Sequence, residues 1–218
     1  MSRTNKKIIS RINGLFFRNP TIMCQLSIAP IILVGVSLSN AVALSLAMFF
    51  VTVPTLICVS LIKNRLNPEV ATMTYLLISA LFYIPTGFFI KQIFPESLES
   101  LGIYLPMIVI NSIIIIRSRG FANKNKVHWV FLDSLVYVIV FSIEICLISI
   151  IREVLGKGNL YGHKLNIFIN FPALLLPFSG FILIGLLASL MQVIYNNRKK
   201  INIKKNINLK NKDNNIKN

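Results

Sequence analysis

Glu144 is an ionisable residue near the middle of a long apolar run. A carboxylate at the centre of a bilayer costs at least about 2.5 kcal/mol on insertion scales, so its presence there needs a reason. Two interpretations remain open from the residues alone. The carboxyl group lies on a proton or cation path, or it is protonated or hydrogen-bonded against a neighbouring helix, near Ser142 or Ser149.

A second apolar run, residues 101–122, contains Pro106, Asn111 and Ser112 before it ends in two arginines. Pro106 has no amide hydrogen, and an unsatisfied backbone group is costly in hydrocarbon. Such a break is tolerated mainly where neighbouring protein covers it. The run therefore predicts a broken helix that faces other protein, with Asn111 on a path or in the packing around it.

The remaining charged residues of the apolar runs have simpler interpretations. Asp133 comes at the beginning of the predicted fifth helix, where the helix dipole favours an acidic side chain. Arg152 and Glu153 come at the other end of that helix, and Gly156 and Gly158 follow. This order predicts a helix stop.

Cysteines and histidines do not form a recognisable site. Cys24, Cys58 and Cys146 fall within apolar runs without paired spacing, which is typical of small buried hydrophobes. His128 and His163 are predicted on opposite sides of the membrane, so they cannot share a metal ion. The sequence also lacks a nucleotide-binding loop and an HExxH motif. We therefore predict no catalytic residue, no metal site and no self-contained enzyme.

Composition places these residues in a membrane protein. Of 218 residues, 55% are hydrophobic and only 14% are charged, and the mean hydropathy is +0.70. Repeated apolar runs approach the roughly 20 residues that span about 30 Å of hydrocarbon. We predict an all-α integral membrane protein with six transmembrane helices, at residues 21–37, 40–62, 70–93, 101–116, 130–151 and 171–195.

The six predicted spans divide into two sets of three, and an odd set repeated in tandem enters the membrane from opposite sides. The first span of each set is short and carries a proline, Pro30 or Pro106, with Asn40 or Asn111 close by. Short or interrupted segments at matching places in two halves indicate a binding site near the membrane midplane. We therefore predict two inverted three-helix repeats whose first and fourth helices are short or broken.

Basic residues concentrate at the two ends of the chain. The net charge of +16 would suggest nucleic acid in a soluble protein. Thirteen of the 23 Lys and Arg residues, however, lie in residues 1–19 and 196–218, and the second segment has no aromatic side chain for base stacking. We predict a basic cytoplasmic segment 1–19, a membrane domain 20–195 and a disordered, Asn/Lys/Ile-rich cytoplasmic tail 196–218. The tail is most simply a solvated segment of biased composition, with attraction to lipid headgroups as the alternative. Membrane lipid is an expected partner of the protein as a whole, and nucleic acid is not.

Orientation follows from the basic residues of the loops. With the N-terminus inside, the inner segments hold 19 Lys and Arg residues and the outer loops hold four. Basic residues accumulate on the cytoplasmic side of membrane proteins. The count predicts a multi-pass protein of the bacterial cytoplasmic membrane with both termini in the cytoplasm.

Several separated motifs resemble one family. They are NPTIMCQLSIAPIILVGVSLSNA, SLGIYLPMIVINS, RSRGFANKN, LDSL, IREVLGKGNLYG and LLPFSGFILIGLLAS, in this order along the chain. They are similar to the integral-membrane E subunit of Rnf-type electron transport complexes and to the homologous D subunit of the sodium-translocating NADH:quinone reductase. The resemblance covers residues 19–192.

The resemblance implies a six-helix subunit with broken first and fourth helices, paired with a sister six-helix subunit of inverted topology. In the family, the pair holds a [2Fe-2S] cluster at the membrane midplane. Each partner supplies two cysteines, one immediately before the proline of the first helix and one immediately after the asparagine of the fourth.

This sequence departs from the family at both ligand positions. Ala29 precedes Pro30, and Ser112 follows Asn111. Alanine cannot ligate iron, and a serine hydroxyl is a poor substitute for a thiolate. Arg119 also stands where the family motif carries an acid. We therefore expect this chain to bind no cofactor, the alternative being a [2Fe-2S] cluster held by the sister subunit.

The functional prediction is a membrane subunit of an Rnf-like, ion-coupled electron transport complex that has lost its own cluster cysteines, with other Rnf-like subunits as partners. In that role the chain is at most a non-catalytic subunit of an ion-translocating oxidoreductase. Two alternatives stay open: a small secondary transporter with Glu144 or Asn111 on its path, and a purely structural membrane partner.

Overall fold

The computed structural model describes residues 28–63, 67, 69–161, 163–164, 171–190, 192–193 and 196–197. Its α-helices are α1 (Ile28–Val34), α2 (Leu38–Ile62), α3 (Ala71–Ile93), α4 (Pro95–Leu101), α5 (Ser112–Arg117), α6 (Val127–Lys157) and α7 (Pro177–Leu190). Short 3₁₀ segments lie at Gly102–Tyr104, Pro106–Ile110 and Pro172–Leu175, and a π-helical turn lies at Ser118–Ala122. An antiparallel hairpin pairs β1 (Asn159–Leu160) with β2 (His163–Lys164).

The chain divides into two compact units. One is Cys24–Ile184, and the other combines Met1–Met23 with Gly185–Asn218. All contacts of the candidate site lie within the first unit. In the second unit, the described residues 185–190, 192–193 and 196–197 are helical. The predicted basic segment 1–19, Cys24 and nearly all of the predicted tail lie outside the described residues, so these remain predictions.

Helices α2, α3 and α6 are each long and apolar enough to cross a membrane. A fourth span results if Pro95–Tyr104 and Pro106–Ala122, which meet at a bend of 48°, are counted as one broken span. The prediction of an all-α membrane protein is confirmed. The count of six helices in two inverted repeats stays a prediction.

The predicted bounds of the fifth and sixth spans need correction. Helix α6 extends beyond residues 130–151 at both ends, and it stops at Gly158, whose φ of 66° is the left-handed conformation that favours glycine. The predicted sixth span starts with a 3₁₀ turn, and α7 begins only at Pro177. Leu176 has a ψ of 149°, because the residue before a proline is disfavoured in the α conformation.

Helix α2 forms the centre of the first unit, with α6 and α3 packed against it. Its apolar residues are mostly buried, and two of its hydroxyls are satisfied inside the helix. Ser45 donates to the carbonyl oxygen of Ala41 at 2.7 Å, and Thr55 donates to that of Val51 at 2.6 Å. The helix can therefore bury polar side chains without leaving a donor unsatisfied.

The fourth apolar run is broken, as predicted. Pro106 begins a 3₁₀ segment that ends at Ile110, and Asn111 is extended, with a ψ of 132°. The Asn111 side chain then caps α5 by accepting a hydrogen bond from the Ile113 amide at 2.9 Å. The break therefore has a local cause at each end, a missing amide at Pro106 and a side-chain cap at Asn111.

The first helix is short in the part that the structure describes. Helix α1 ends at Val34, and α2 begins at Leu38 after an extended residue, Ser37. A side chain at Gly35 would collide with the carbonyl oxygen of Ile31 and would come within 3.3 Å of Ser149 Oγ on α6. The α1–α2 break thus lies against α6 at a point where only glycine fits.

Candidate functional site

A cavity of about 170 Å³ lies between α1 and the broken fourth run. Its lining residues come from α1 and from the broken fourth run: Pro30, Leu33, Tyr104, Met107, Ile110, Asn111 and Ser112. The sequence predicted that Pro30 and the Asn111 region occupy matching places in two halves. The structure brings these two places together in one cavity.

Asn111 joins the cavity wall to the central helix. Its side chain is 7% exposed, and its Nδ2 lies 3.8 Å from the Met48 sulfur on α2. Thr52 donates to the same sulfur at 3.3 Å. With its oxygen capping α5, Asn111 has a clear packing role, while its predicted place on a path stays a prediction.

The two residues at the family's ligand positions cannot supply thiolates. Ser112 is exposed and lines the cavity as the first residue of α5. Ala29 lies on α1 next to Pro30. A [2Fe-2S] cluster is held by cysteine thiolates, with histidine replacing two of them in some centres. A methyl group and a hydroxyl group therefore do not fit that cluster.

Other potential ligands do not converge on this place in the described part of the chain. Cys58 and Cys146 are on α2 and α6, and neither lines the cavity. No group of three or more His, Cys, Asp or Glu side chains that could hold a metal ion occurs among the described residues.

Glu144 is buried at the middle of α6, with 3% of its surface exposed. Helices α2 and α6 are antiparallel, because the Leu38 amide donates to Glu153 Oε2 at 2.6 Å while Val59 and Val130 share one cluster at the other end. Glu144 therefore falls on the stretch of α6 between these two points of contact with α2. Its role as path or packing stays a prediction.

A buried ion pair joins α5 to α6 where sequence reasoning expected none. Arg117 Nε donates to Asp133 Oδ2 at 3.0 Å, and Arg117 Nη2 lies 2.5 Å from both carboxylate oxygens. The guanidinium also lies over the rings of Phe121 and Tyr137, at 4.9 and 4.3 Å from their centroids. Its charge is therefore neutralised and its planar face is covered.

This pair corrects the interpretation of Asp133 as a charge at a helix start. Helix α6 begins at Val127, so Asp133 lies beyond the first turn, where the dipole effect is concentrated. The sequence did contain a signal for this ion pair, because Arg117 ends one apolar run and Asp133 lies inside the next.

Arg152 is fully buried, and five backbone carbonyls accept its hydrogen bonds. Two belong to Ile32 and Gly35, at 2.7 and 3.2 Å from Nη1. The other three belong to the 3₁₀ turn before α7 and to the residue after it: Leu174, Leu175 and Leu176.

The neighbouring carboxylate holds the other side of the first break. Glu153 is 4% exposed, and its two oxygens accept from the amides of Leu38 and Tyr161 at 2.6 and 3.0 Å. The predicted helix stop after these residues is confirmed, but Arg152 and Glu153 lie inside the helix, where hydrogen bonds satisfy both charges, and not at its last turn. The stop lies at Gly158.

The fold defines an all-α membrane protein with three, or counting the broken run four, helices able to cross a bilayer in the part of the chain that the structure describes. The family model described as "Rnf-Nqr subunit, membrane protein" matches residues 8–188. The chain belongs to the Rnf-Nqr family of membrane subunits, and the resemblance found in its motifs is confirmed.

Individual relatives agree with the family match. The E subunit of the proton-translocating ferredoxin:NAD(+) oxidoreductase complex of Clostridium ljungdahlii is 33% identical over 194 residues, covering 88% of this chain and 91% of the relative. The E subunit of an ion-translocating oxidoreductase complex of Shewanella piezotolerans is 32% identical over 84% of this chain and 86% of the relative. The E subunit of the Na(+)-translocating ferredoxin:NAD(+) oxidoreductase complex of Acetobacterium woodii is 29% identical over 82% of this chain and 92% of the relative.

Proposed function

We propose that this chain is the E-type membrane subunit of an Rnf-like, ion-translocating oxidoreductase complex. The observation that carries the proposal is the similarity to E subunits of such complexes, which extends over more than four fifths of this chain and of each of the three relatives. The spans α2, α3 and α6 suit a protein embedded in the membrane. Other Rnf subunits are its partners.

The finer assignment rests on the sequence and on the resemblance. The chain pairs with a sister six-helix subunit of inverted topology in the bacterial cytoplasmic membrane, has both termini in the cytoplasm and contacts membrane lipid. The preponderance of basic residues in the inner segments supports this orientation. The position of Pro30 and the Asn111 region in one cavity supports the internal repeat.

Within that complex, this chain supplies no ligand to an iron–sulfur cluster. Any [2Fe-2S] cluster at the membrane midplane is held by the sister subunit. Support comes from the side chains at the two family positions, the methyl group of Ala29 and the hydroxyl group of Ser112.

Iron and acid-labile sulfide analysis of the complex, purified without oxygen, tests this assignment. We expect Ala29→Gly and Ser112→Ala to leave iron and sulfide per complex unchanged. The matched gain-of-ligand variant, Ala29→Cys with Ser112→Cys, places thiols at both positions and reports whether they can bind added iron. Loss of a stoichiometric [2Fe-2S] signal in the Ser112→Ala complex contradicts the proposal.

A secondary transporter is the second candidate, because a buried carboxyl at the middle of a membrane helix is typical of ion paths. Affinity purification and liposome reconstitution separate the two functions. Co-purification with other Rnf subunits, together with no solute or ion flux by the chain alone, supports the complex. Flux by the chain alone supports the transporter.

A further inference from the structure

The break between α1 and α2 exposes backbone groups of opposite polarity at one place. A helix that ends leaves carbonyl oxygens without intrahelical partners, and a helix that begins leaves amides without them. The helix dipoles add partial negative charge at the first end and partial positive charge at the second. In hydrocarbon, water is not available to satisfy these groups.

Two adjacent residues of α6 match these polarities. The Arg152 guanidinium meets the carbonyl oxygens of Ile32 and Gly35 at the end of α1, and the Glu153 carboxylate accepts from the Leu38 amide at the beginning of α2. Each side chain also holds a second segment. Arg152 holds the 3₁₀ turn before α7, and Glu153 holds the outer hairpin at Tyr161.

No substitute can make all the contacts of Arg152. A guanidinium has five N–H donors in a fixed plane, and here each has a carbonyl acceptor. Lysine keeps the charge but has only three donors on one atom. The site therefore requires the shape of arginine as well as its charge.

Close backbone packing surrounds the end of α1. A side chain at Gly180 on α7 would come within 3.3 Å of three atoms of Ile32. With Gly35 packed against Ser149, α1 is held on two sides at the end that Arg152 contacts. Pro30 and Leu33 of the same helix form one wall of the cavity, and Leu33 directly follows Ile32, whose carbonyl oxygen accepts from Arg152.

We propose that Arg152, assisted by Glu153, is the positioning residue of the cavity. It holds the end of α1 at its junction with α2 and fixes the wall formed by Pro30 and Leu33 against Asn111 and Ser112. This role concerns the geometry of the cavity, and it holds whether or not a redox centre lies nearby.

Thiol labelling of the full-length chain in its purified complex tests this role. The native cysteines are replaced by serine or alanine, and one reporter is introduced at a time. Leu33→Cys reports on the α1 wall, where the side chain is 37% exposed. Lys124→Cys, an exposed position before α6, serves as the remote reporter. The rate of reaction with N-ethylmaleimide is measured only in the intact, monodisperse fraction.

We expect Arg152→Lys to raise the labelling rate at Leu33→Cys roughly tenfold or more, because losing charge-assisted hydrogen bonds favours local opening of α1. The rate at Lys124→Cys should stay unchanged. The matched control is Arg117→Lys, which alters another buried arginine and should leave the rate at Leu33→Cys unchanged.

If the complex with Arg152→Lys does not assemble, the experiment uses Glu153→Gln instead. This substitution keeps one carbonyl acceptor and removes the negative charge. It should also raise the rate selectively at Leu33→Cys. Unchanged labelling at Leu33→Cys overturns the proposal, because it shows that Arg152 does not hold the α1 wall. Equal increases at both reporters also overturn it, because they show that Arg152 contributes only to general stability. Electron transfer by the complex is not a readout, so failure here is distinct from failure of the proposed function.

Discussion

At the scale of single residues, three buried ionisable side chains of α6 have different surroundings. Asp133 is paired with Arg117, and Arg152 is surrounded by carbonyl oxygens. Glu144 is buried between them along the helix. Because Glu144 is buried in the helix packing and does not line the cavity, we predict a packing role for it.

Glu144→Gln tests that interpretation, because glutamine keeps the size and polar groups of the side chain but cannot bind or release a proton at physiological pH. We expect ion-coupled activity of the complex to stay within about twofold of the native value, since a packing role does not need an ionisable group. Glu144→Leu, which removes the hydrogen-bonding groups, is the matched control for assembly. A tenfold or greater loss of activity in Glu144→Gln, at unchanged abundance of the complex, assigns Glu144 to the ion path instead.

At the scale of elements, sequence reasoning located continuous apolar helices well. The bounds of α2 and α3 lie within two residues of the predicted 40–62 and 70–93, because an uninterrupted apolar run is a local signal. It also located the break in the fourth run, since Pro106 acts through its own backbone. Pro30, by contrast, lies inside α1, and the chain leaves the helical conformation only after Val34.

Long-range partners were not predictable in the same way. Arg152 resembled the end of a helix because its acceptors at Ile32 and Gly35 are 120 and 117 residues away along the chain. Arg117 resembled a basic residue of an inner loop, yet it is 8% exposed and paired with Asp133. A charged side chain marks the end of a membrane helix only when water solvates it. The sequence alone does not show whether the partner of the charge is water or another part of the protein.

The Arg117–Asp133 pair yields a stability prediction for the contact between α5 and α6. Arg117→Met leaves Asp133 buried without its cation, which should destabilise the protein by about 3–5 kcal/mol. The double variant Arg117→Met with Asp133→Leu removes both charges and should recover most of that loss. Thermal unfolding of the detergent-solubilised chain, followed by size-exclusion chromatography, measures the difference. Equal stability of the single and double variants contradicts a net role for the charge pair.

At the scale of the whole molecule, orientation in the membrane depends on a count of basic residues. That count included Arg117 on the inner side and Arg152 on the outer side, and both are buried in hydrogen-bonded sites. Excluding them leaves 18 basic residues inside and three outside. The predicted orientation is therefore independent of these two side chains.

Labelling of intact cells with a membrane-impermeant maleimide checks this orientation. In a cysteine-free background, Tyr161→Cys in the exposed outer hairpin should react before lysis. Lys126→Cys, an exposed position just before α6, should react at least about tenfold faster after lysis than before it, because the positive-inside bias places it in the cytoplasm. The reverse pattern overturns the orientation.

The hydrogen bond between Arg152 and the Ile32 carbonyl also constrains how the protein is made. Ribosomes add Ile32 to the chain 120 residues before Arg152. Until α6 enters the bilayer, the carbonyl oxygens at the end of α1 lack these partners, and leaving them bare in lipid is costly. The α1–α2 junction can therefore take its final hydrogen bonding only after the fifth predicted span has been translated.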